Sequence, residues 1–210
     1  MDREQANRIL DALAALYPEA AAELHFSNPY ETLVAVILSA QCTDRRVNMV
    51  TEKLFPAFPD AFAMAKLEPE ELEPWIRECG IYRNKAKNIV AACRALVELY
   101  DGEVPNDRER LMALPGVGQK TAGVVLMAAF GDPQIPVDTH VFRVSRRIGL
   151  ADADTPEKVE EQLRKILPRE RWTHAHHLLI FHGRRCCAAR KPACERCPLN
   201  DGLCEKRLEK

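Results

Sequence analysis

The C-terminal part of the chain contains four cysteines separated by intervals of six, two and six residues: Cys187, Cys194, Cys197 and Cys204. Two prolines within this segment, the cysteine loop (residues 187–204), interrupt any helix, so the four sulfur atoms can converge on one point. Soft sulfur ligands of this kind bind either a zinc ion or an iron–sulfur cluster. The spacing therefore predicts a metal site, and frequency alone favours zinc.

The other cysteines do not indicate a secreted, disulfide-bonded protein. Cys42, Cys79 and Cys93 are scattered through helical patterns, where a buried free thiol is the simplest interpretation. Cys186 is interpreted as a spare thiol, although it could compete for the metal. The N-terminal residues are charged and amphipathic rather than signal-like, and no apolar run is long enough to cross a membrane. We therefore expect a cytoplasmic protein in a reducing compartment, without membrane contact.

The pattern of apolar residues predicts about ten helices and no strand. Asn28 and Thr155, each followed by a proline, are predicted to cap helices. A further helix is predicted over residues 85–100. A break at residues 131–133, which read GDP, is the predicted domain boundary.

Residues 111–130, LMALPGVGQKTAGVVLMAAF, predict two helices joined by a tight hairpin. Gly116 and Gly118 allow positive φ angles and expose backbone N–H groups at the start of the second helix. Such a helix start binds phosphate through fixed dipoles, without contacting bases. An ordinary helix–helix turn is the alternative for a lone GxG. The following lysine and the apolar helix favour the phosphate site.

Lys120 directly follows the hairpin and has two interpretations. It can be a surface lysine or one that contacts phosphate. Alternatively, its position near a helix N-terminus, together with partial burial, disfavours the protonated form. A neutral lysine amine can attack a sugar carbon and form a Schiff base.

Asp138 lies in the segment VDTHVFRVSRR (residues 137–147) and is predicted to cap a helix, a contribution of about 1 kcal/mol. The helix terminus also favours an ionised carboxylate, which suits stabilisation of a developing sugar cation. Arg143 is predicted either to contact phosphate or only to solvate the helix. His140 is a candidate for a phosphate or active-site contact.

These segments together resemble the endonuclease III family of helix-hairpin-helix DNA glycosylases. The resemblance extends from about residue 26 to the last cysteine. It is carried by the cysteine array and by LSAQCTD (38–44), GIYRNKA (80–86), GEVP (102–105), LPGVGQKTA (114–122), VDTH (137–140) and HGRRCCAARKPAC (182–194). The chain departs from the family in its last cysteine interval, which is six residues rather than the usual five. Gly202 can absorb the extra residue in a turn.

The resemblance implies an all-α fold of two helical domains. Residues 22–132 would form a six-helix domain that carries the hairpin, and residues 1–21 plus 133–210 would form the domain that holds the cofactor. The resemblance favours a [4Fe-4S] cluster over zinc, bound by the four cysteines of the cysteine loop. It also implies an active-site cleft between the domains, with Lys120 on one side and Asp138 on the other.

The activity implied is that of a bifunctional DNA glycosylase/AP lyase of base excision repair. Such an enzyme removes oxidised pyrimidines from damaged double-stranded DNA and cuts the strand 3′ to the abasic site by β-elimination. Gln41 would fill the gap left by the flipped base, and Ile81 would act as a wedge where relatives commonly have leucine. The expected DNA-binding residues are Gln41, Ile81, Gly116, Gly118, His140 and Arg143. We also expect a monomer associated with the nucleoid.

Two other functions are compatible with parts of the pattern. A monofunctional mismatch glycosylase of the same superfamily would use an activated water and would not need Lys120. A non-catalytic, metal-stabilised DNA-binding module would need neither Lys120 nor Asp138. The presence of both residues favours an enzyme.

The charge of the chain is unevenly distributed. The formal net charge is only −1 and the isoelectric point is about 6.6. Residues 184–210 nevertheless contain eight basic and four acidic residues, whereas residues 1–31 contain two basic and six acidic ones. We therefore expect modest DNA affinity that falls steeply with salt.

Four histidines precede the cysteine loop: His174, His176, His177 and His182. At these spacings they spread around a helix, and four thiolates already complete a metal site. We interpret the histidines as structural or surface groups.

Overall fold

A computed structural model describes residues 1–205. This range contains eleven α-helices, three short 3-10 helices and no β-strand, which confirms the all-helical prediction. No helix in the same range is long and apolar enough to cross a membrane. Four charged residues counted in the basic C-terminal segment lie outside the described residues: Lys206, Arg207, Glu209 and Lys210.

The α-helices are α1 (Arg3–Leu16), α2 (Pro29–Ser39), α3 (Asp44–Ala57), α4 (Ala61–Ala65), α5 (Pro69–Ile76), α6 (Tyr82–Tyr100), α7 (Arg108–Met112), α8 (Gln119–Phe130), α9 (Thr139–Ile148), α10 (Pro156–Ile166) and α11 (Trp172–Arg185). The 3-10 helices are Arg77–Cys79, Arg169–Arg171 and Cys194–Arg196. The described chain forms two compact units, each with its own apolar core.

The first unit is the continuous segment Glu23–Asp132. It contains α2 to α8, one α-helix more than the six that the resemblance implies, and two of these seven have only five residues. Helix α2 is the centre of the core, because every residue from Thr32 to Leu38 is buried. It packs against α3, α6 and α8, and α8 thereby fixes the hairpin to the middle of this unit.

The predicted helix starts follow local chemistry. The Asn28 side chain accepts a hydrogen bond from the Glu31 N–H at 2.9 Å, and Glu31 accepts one from the Ser27 N–H at 2.6 Å. Helix α6 begins at Tyr82, three residues before the predicted start, because Ile81 immediately before it adopts a left-handed conformation. Its end at Tyr100 agrees with the prediction.

The second unit combines both ends of the described chain, Met1–Ala22 and the segment that begins at Pro133. Helix α1 packs against α11, and α11 packs against α9. The core includes Leu13 from α1, Val141 from α9 and Leu178 from α11. Leu199 of the cysteine loop is also completely buried in this core, so packing anchors the loop.

Candidate active site and metal centre

The hairpin between α7 and α8 leaves several backbone donors open. Leu114 accepts a hydrogen bond from the Val117 N–H at 3.1 Å, and Gly118 accepts one from the Ala122 N–H at 2.9 Å. Among the described residues, the N–H groups of Gly118, Gln119 and Lys120 have no acceptor. The start of α8 also lacks a side-chain cap. These amides and the positive end of the helix dipole can therefore bind an anion.

The two hairpin glycines have different roles. Gly116 has φ +78°, and a Cβ atom there would lie 2.7 Å from Asn88 Cβ, so both conformation and space require glycine. Gly118 does not use the positive φ that glycine allows, because it has φ −90° and ψ 179°, an extended conformation open to any residue. A Cβ atom at Gly118 would meet no atom within 4 Å. Within the described protein, there is thus space for a side chain at position 118.

Lys120 is the second residue of α8 and is exposed. The partial burial considered from the sequence is not observed. Its ammonium group has no hydrogen-bond or ion-pair partner among the described residues. A primary amine is therefore available to a ligand beside the open N–H groups of α8.

Asp138 is the N-cap of α9, as predicted. Its Oδ1 atom accepts hydrogen bonds from the His140 N–H at 2.8 Å and the Val141 N–H at 2.7 Å. Within residues 1–205, the second carboxylate oxygen, Oδ2, accepts no hydrogen bond. One oxygen thus fixes the orientation of the carboxylate, and the other can interact with a ligand.

His140 and Arg143 form part of a contact network within the second unit. The Arg143 guanidinium donates to the backbone oxygen of Gly183 at 2.9 Å and to that of Cys187 at 3.1 Å. It also lies 3.3 Å from His140 Nδ1. Burial lowers the pKa of His140, with smaller contributions from neighbouring charges. The ring is therefore uncharged at neutral pH and does not attract phosphate by charge.

Gln41 and Ile81 both adopt left-handed backbone conformations. Their φ angles are +52° and +45°. Both residues are exposed, and Ile81 exposes 52% of its surface. A left-handed conformation is costly for a β-branched residue, and such outliers concentrate at functional positions. The sequence motifs suggested these two residues, but the strain is visible only in the structure.

The cysteine loop surrounds a cavity in the second unit. The cavity is small, with a volume of about 30 Å³. The lining residues are Arg147, Ile148, His182, Cys186, Cys187, Pro192, Cys194, Cys197 and Cys204. All four cysteines predicted to bind the metal therefore face one cavity. Gly202 lies in a turn with φ +94°, which accommodates the six-residue interval before Cys204.

Two family models match this chain, one over most of its helices and one over the cysteine loop. Residues 34–169 match the model of the HhH-GPD superfamily base excision DNA repair proteins, and residues 187–204 match the iron–sulfur binding domain of endonuclease III. Endonuclease III of Synechocystis sp. is 50% identical over 94% of this chain and 90% of its own length. The chain belongs to the endonuclease III family.

Solved structures of this family agree over nearly the whole fold. A non-covalent endonuclease III–DNA complex has a TM-score of 0.93 and 49% identity, covering 98% of this chain and 96% of that one. A trapped endonuclease III–DNA covalent intermediate also has a TM-score of 0.93 and 49% identity, and the match covers 98% of this chain and 97% of that one. The protein is accordingly a DNA-binding glycosylase and AP lyase of base excision repair. A mismatch-specific glycosylase and a non-catalytic binding module are not favoured.

The cofactor of this endonuclease III family member is an iron–sulfur cluster rather than zinc. The lining of the cavity fits such a group chemically, because the four cysteines line it and a buried cation lies beside them. Arg147 donates to the backbone oxygen of Ala188 at 2.6 Å, and its Nη1 lies 3.8 Å from Cys187 Sγ. Its Nε atom is buried without a partner among the described residues. A guanidinium in this position offsets the negative charge of a thiolate-bound cluster.

Two further residues line the cavity: His182, which was expected to be a structural or surface group, and Cys186, which was expected to be a spare thiol that could compete for the metal. His182 is buried, with Nε2 at 3.6 Å from Cys197 Sγ and Nδ1 at 3.1 Å from the Tyr17 hydroxyl oxygen. Cys186 is also buried, and its Sγ lies 3.5 Å from the backbone oxygen of Ala193. Burial raises the pKa of Cys197 to about 11. Binding of iron by this thiol must therefore displace a proton.

Proposed function

We propose that this protein removes oxidised pyrimidines from damaged double-stranded DNA and cuts the strand 3′ to the resulting abasic site. The glycosidic bond is inaccessible inside the duplex, so the damaged nucleotide must leave the base stack. The exposed, unpartnered amine of Lys120, beside the open N–H groups of α8, is the observation that carries this proposal.

The proposed chemistry begins with attack of the neutral Lys120 amine on C1′ of the flipped nucleoside. The C1′–N bond breaks, and the base leaves with a proton. Opening of the sugar ring gives a Schiff base between Lys120 and C1′. Loss of the C2′ proton then breaks the C3′–O bond, and the 3′ phosphate leaves. A water nucleophile would stop at the abasic site, so a primary amine explains both base removal and strand cleavage.

Asp138 is proposed to assist at the same nucleotide. Its Oδ1 is held by two N–H groups of α9, so the carboxylate does not need to reorganise during the reaction. Its Oδ2 accepts no hydrogen bond among the described residues and would stabilise positive charge on the sugar and assist in activating Lys120.

The remaining site residues are proposed to bind DNA. In the hairpin of Gly116 and Gly118, the open N–H groups of Gly118, Gln119 and Lys120 would hold one phosphate. Gln41 would occupy the space of the flipped base, and Ile81 would enter the opposite strand. The exposure and left-handed conformation of Gln41 and Ile81 support these roles.

His140 and Arg143 are proposed to contact the DNA backbone near Asp138. The guanidinium of Arg143 already donates to carbonyl groups. A phosphate at Arg143 would therefore replace one of these hydrogen bonds.

Borohydride trapping tests the nucleophile. A duplex with one oxidised pyrimidine is incubated with the protein and sodium borohydride, which reduces a Schiff base to a stable adduct. We expect a covalent protein–DNA product from the wild type and from Lys87→Gln, a control at an exposed lysine of α6. Lys120→Gln should give neither adduct nor nicked strand. A trapped adduct in Lys120→Gln would show that the nucleophile lies elsewhere.

Cys187, Cys194, Cys197 and Cys204 are proposed to hold the cluster, which stabilises this part of the second unit when bound. Protein purified without air should contain close to four irons per chain and no stoichiometric zinc. Cys194→Ser should lose most of its iron and visible absorption. Cys186→Ser is the matched control, because this thiol lines the same cavity and should not be a ligand. Full iron content in Cys194→Ser or Cys204→Ser would contradict the ligand assignment.

We also propose that the protein acts as a monomer in the cytoplasm, at the nucleoid. None of the eight cysteines, all within the described range, forms a disulfide, which agrees with a reducing compartment. All proposed site residues come from one chain. Light scattering of the protein bound to a short duplex should give a mass of one chain per lesion.

A further inference from the structure

Lys85 is a buried cation in the first turn of α6. Only 5% of its surface is exposed. Its Nζ atom donates to the backbone oxygen of Leu38 at 2.8 Å and to that of Cys79 at 2.5 Å. A buried ammonium group is costly without compensating hydrogen bonds. Among the described residues, its partners are two backbone carbonyls rather than a carboxylate, so the cation acts on the backbone that it binds.

Both carbonyls belong to the ends of helical segments. Leu38 lies in the last turn of α2, and Cys79 is the last residue of the 3-10 helix Arg77–Cys79. Carbonyl groups in such positions have no intrahelical donor and carry partial negative charge. The Lys85 ammonium therefore closes two helix ends at once.

Each helix end leads directly into one of the left-handed residues. Gln41, with φ +52°, follows Leu38 by three positions. Ile81, with φ +45°, follows Cys79 by two positions. Left-handed conformations of such residues persist only where the surrounding structure enforces them.

The turn after α2, which contains Gln41, and the turn after Arg77–Cys79, which contains Ile81, are also adjacent in space. Burial raises the pKa of the Cys79 thiol to about 12, and the nearby thiol of Cys42, the residue after Gln41, contributes to this increase. The segment Arg77–Cys79 packs against α3, which begins just after this first turn. A single side chain between the turns can therefore set the position of one relative to the other.

We propose that Lys85 is a positioning residue for lesion recognition, whose ammonium group fixes the two turns that present Gln41 and Ile81 to DNA. This inference rests on the proposed insertion of Gln41 and Ile81 into the duplex. Lys85 itself need not contact DNA. Its contribution is to hold both side chains in place before binding, which reduces the entropy lost when they enter the helix.

The test compares two duplexes of identical sequence, one undamaged and one with a non-cleavable tetrahydrofuran abasic site opposite 2-aminopurine. Lys85→Met retains length and volume but removes both hydrogen bonds. We expect its Kd for the abasic duplex to rise about tenfold to a hundredfold, because loss of the two hydrogen bonds leaves only a minor population with both turns in the binding-competent arrangement. Its Kd for the undamaged duplex should change less than about threefold, because binding through phosphate is independent of these turns. The 2-aminopurine fluorescence that reports unstacking should fall in parallel.

Arg94→Met is the matched control on the same helix. Arg94 also donates to backbone oxygens, those of Ala65 at 3.1 Å and Leu67 at 2.7 Å, but it touches neither turn. Its loss should leave the preference for the abasic duplex unchanged. An equal loss of preference in Arg94→Met would overturn the proposal.

A double-mutant cycle separates positioning from general stability. In a Gln41→Ala/Ile81→Ala background there are no long side chains to place, so Lys85→Met should change the abasic-site Kd less than about twofold. A persistent large effect in that background would overturn the proposal. Equal weakening of both duplexes by Lys85→Met would do the same.

Folding is checked by circular dichroism and thermal unfolding, with Lys85→Gln as a second variant that keeps one donor. If neither variant folds, Lys85 is required by the whole unit and the positioning role is wrong. A wild-type protein without preference for the abasic duplex would overturn the proposed DNA contacts and this inference together. A wild-type preference that Lys85→Met retains would overturn this inference alone.

Discussion

Helices α8 and α9 each begin beside a residue that we assign to catalysis, but their first N–H groups meet different partners. The N-cap residues have nearly the same backbone conformation, with φ −90° and ψ 179° at Gly118 and φ −92° and ψ −175° at Asp138. At α9 a carboxylate of the protein occupies the N–H groups. At α8 no side chain does so. The same kind of helix terminus thus fixes the carboxylate that we assign to catalysis in one unit, and in the other it leaves open the N–H groups that we assign to phosphate.

The largest effect should follow from removing the negative charge at the N-terminus of α9, where Asp138 occupies the N–H groups. Asp138→Asn can still cap α9, because its side-chain oxygen can accept the same two hydrogen bonds. If the carboxylate acts in the chemistry, the single-turnover rate of base release should fall about a hundredfold to a thousandfold. The melting temperature and the Kd for lesion DNA should change little.

Asp138→Ala is the comparison variant for this prediction. It should lose the same activity and, in addition, about 1 kcal/mol of stability through the missing cap. Near wild-type activity in Asp138→Asn would show that Asp138 only caps α9 and has no role in the chemistry.

The next effect should come from closing the open terminus. Gly118→Asp places a carboxylate on a backbone that already suits it, with no atom within 4 Å of the new Cβ. The protein should become more stable by a few tenths to about 1 kcal/mol, because α8 gains a cap and a favourable charge. DNA of any sequence should bind about tenfold to a hundredfold more weakly, because the phosphate loses donors and meets a negative charge.

Gly118→Ser separates two effects, because serine can occupy the N–H groups of α8 without adding a negative charge. Fluorescence anisotropy measures the DNA affinity of both variants, and unfolding curves measure their stability. The serine variant should bind DNA with an affinity between those of the wild type and Gly118→Asp. Unchanged DNA affinity in Gly118→Asp would exclude the open terminus as the phosphate site.

The smallest effect should follow from deleting one donor. Gln119 is the first residue of α8, where proline is well tolerated, and the extended conformation of Gly118 suits a residue before proline. Gln119→Pro should weaken binding of any duplex about threefold to tenfold, the effect of one hydrogen bond. Gln119→Ala keeps the N–H group and should bind as the wild type does, as measured by anisotropy at fixed salt. Equal affinities of the proline and alanine variants would show that this amide does not reach the phosphate.

The sequence predicted these helix starts well because they depend on neighbouring residues. Asn28, Thr155 and Asp138 were all recognised as caps, and all three accept the expected backbone hydrogen bonds. The sequence also predicted a hairpin before α8, and the structure has one there.

Contacts between distant segments were less accessible to sequence analysis. Lys85 binds a carbonyl 47 positions away, and His182 meets Tyr17 across 165 positions. No periodicity or short motif predicts such pairs. The left-handed conformations of Gln41 and Ile81 were also missed, because neither residue type favours them.

The order in which the two units are synthesised has a consequence for assembly. Glu23–Asp132 is continuous, so its core can close as soon as this segment leaves the ribosome. The other unit joins α1 to α11 and buries Leu199. It must therefore wait until translation has passed the cysteine loop. During this interval α1 has no native partner for its apolar face. The cysteines that we propose to bind iron have not yet all been synthesised. A nascent polypeptide of this kind gains its first stable half well before it can acquire its cofactor.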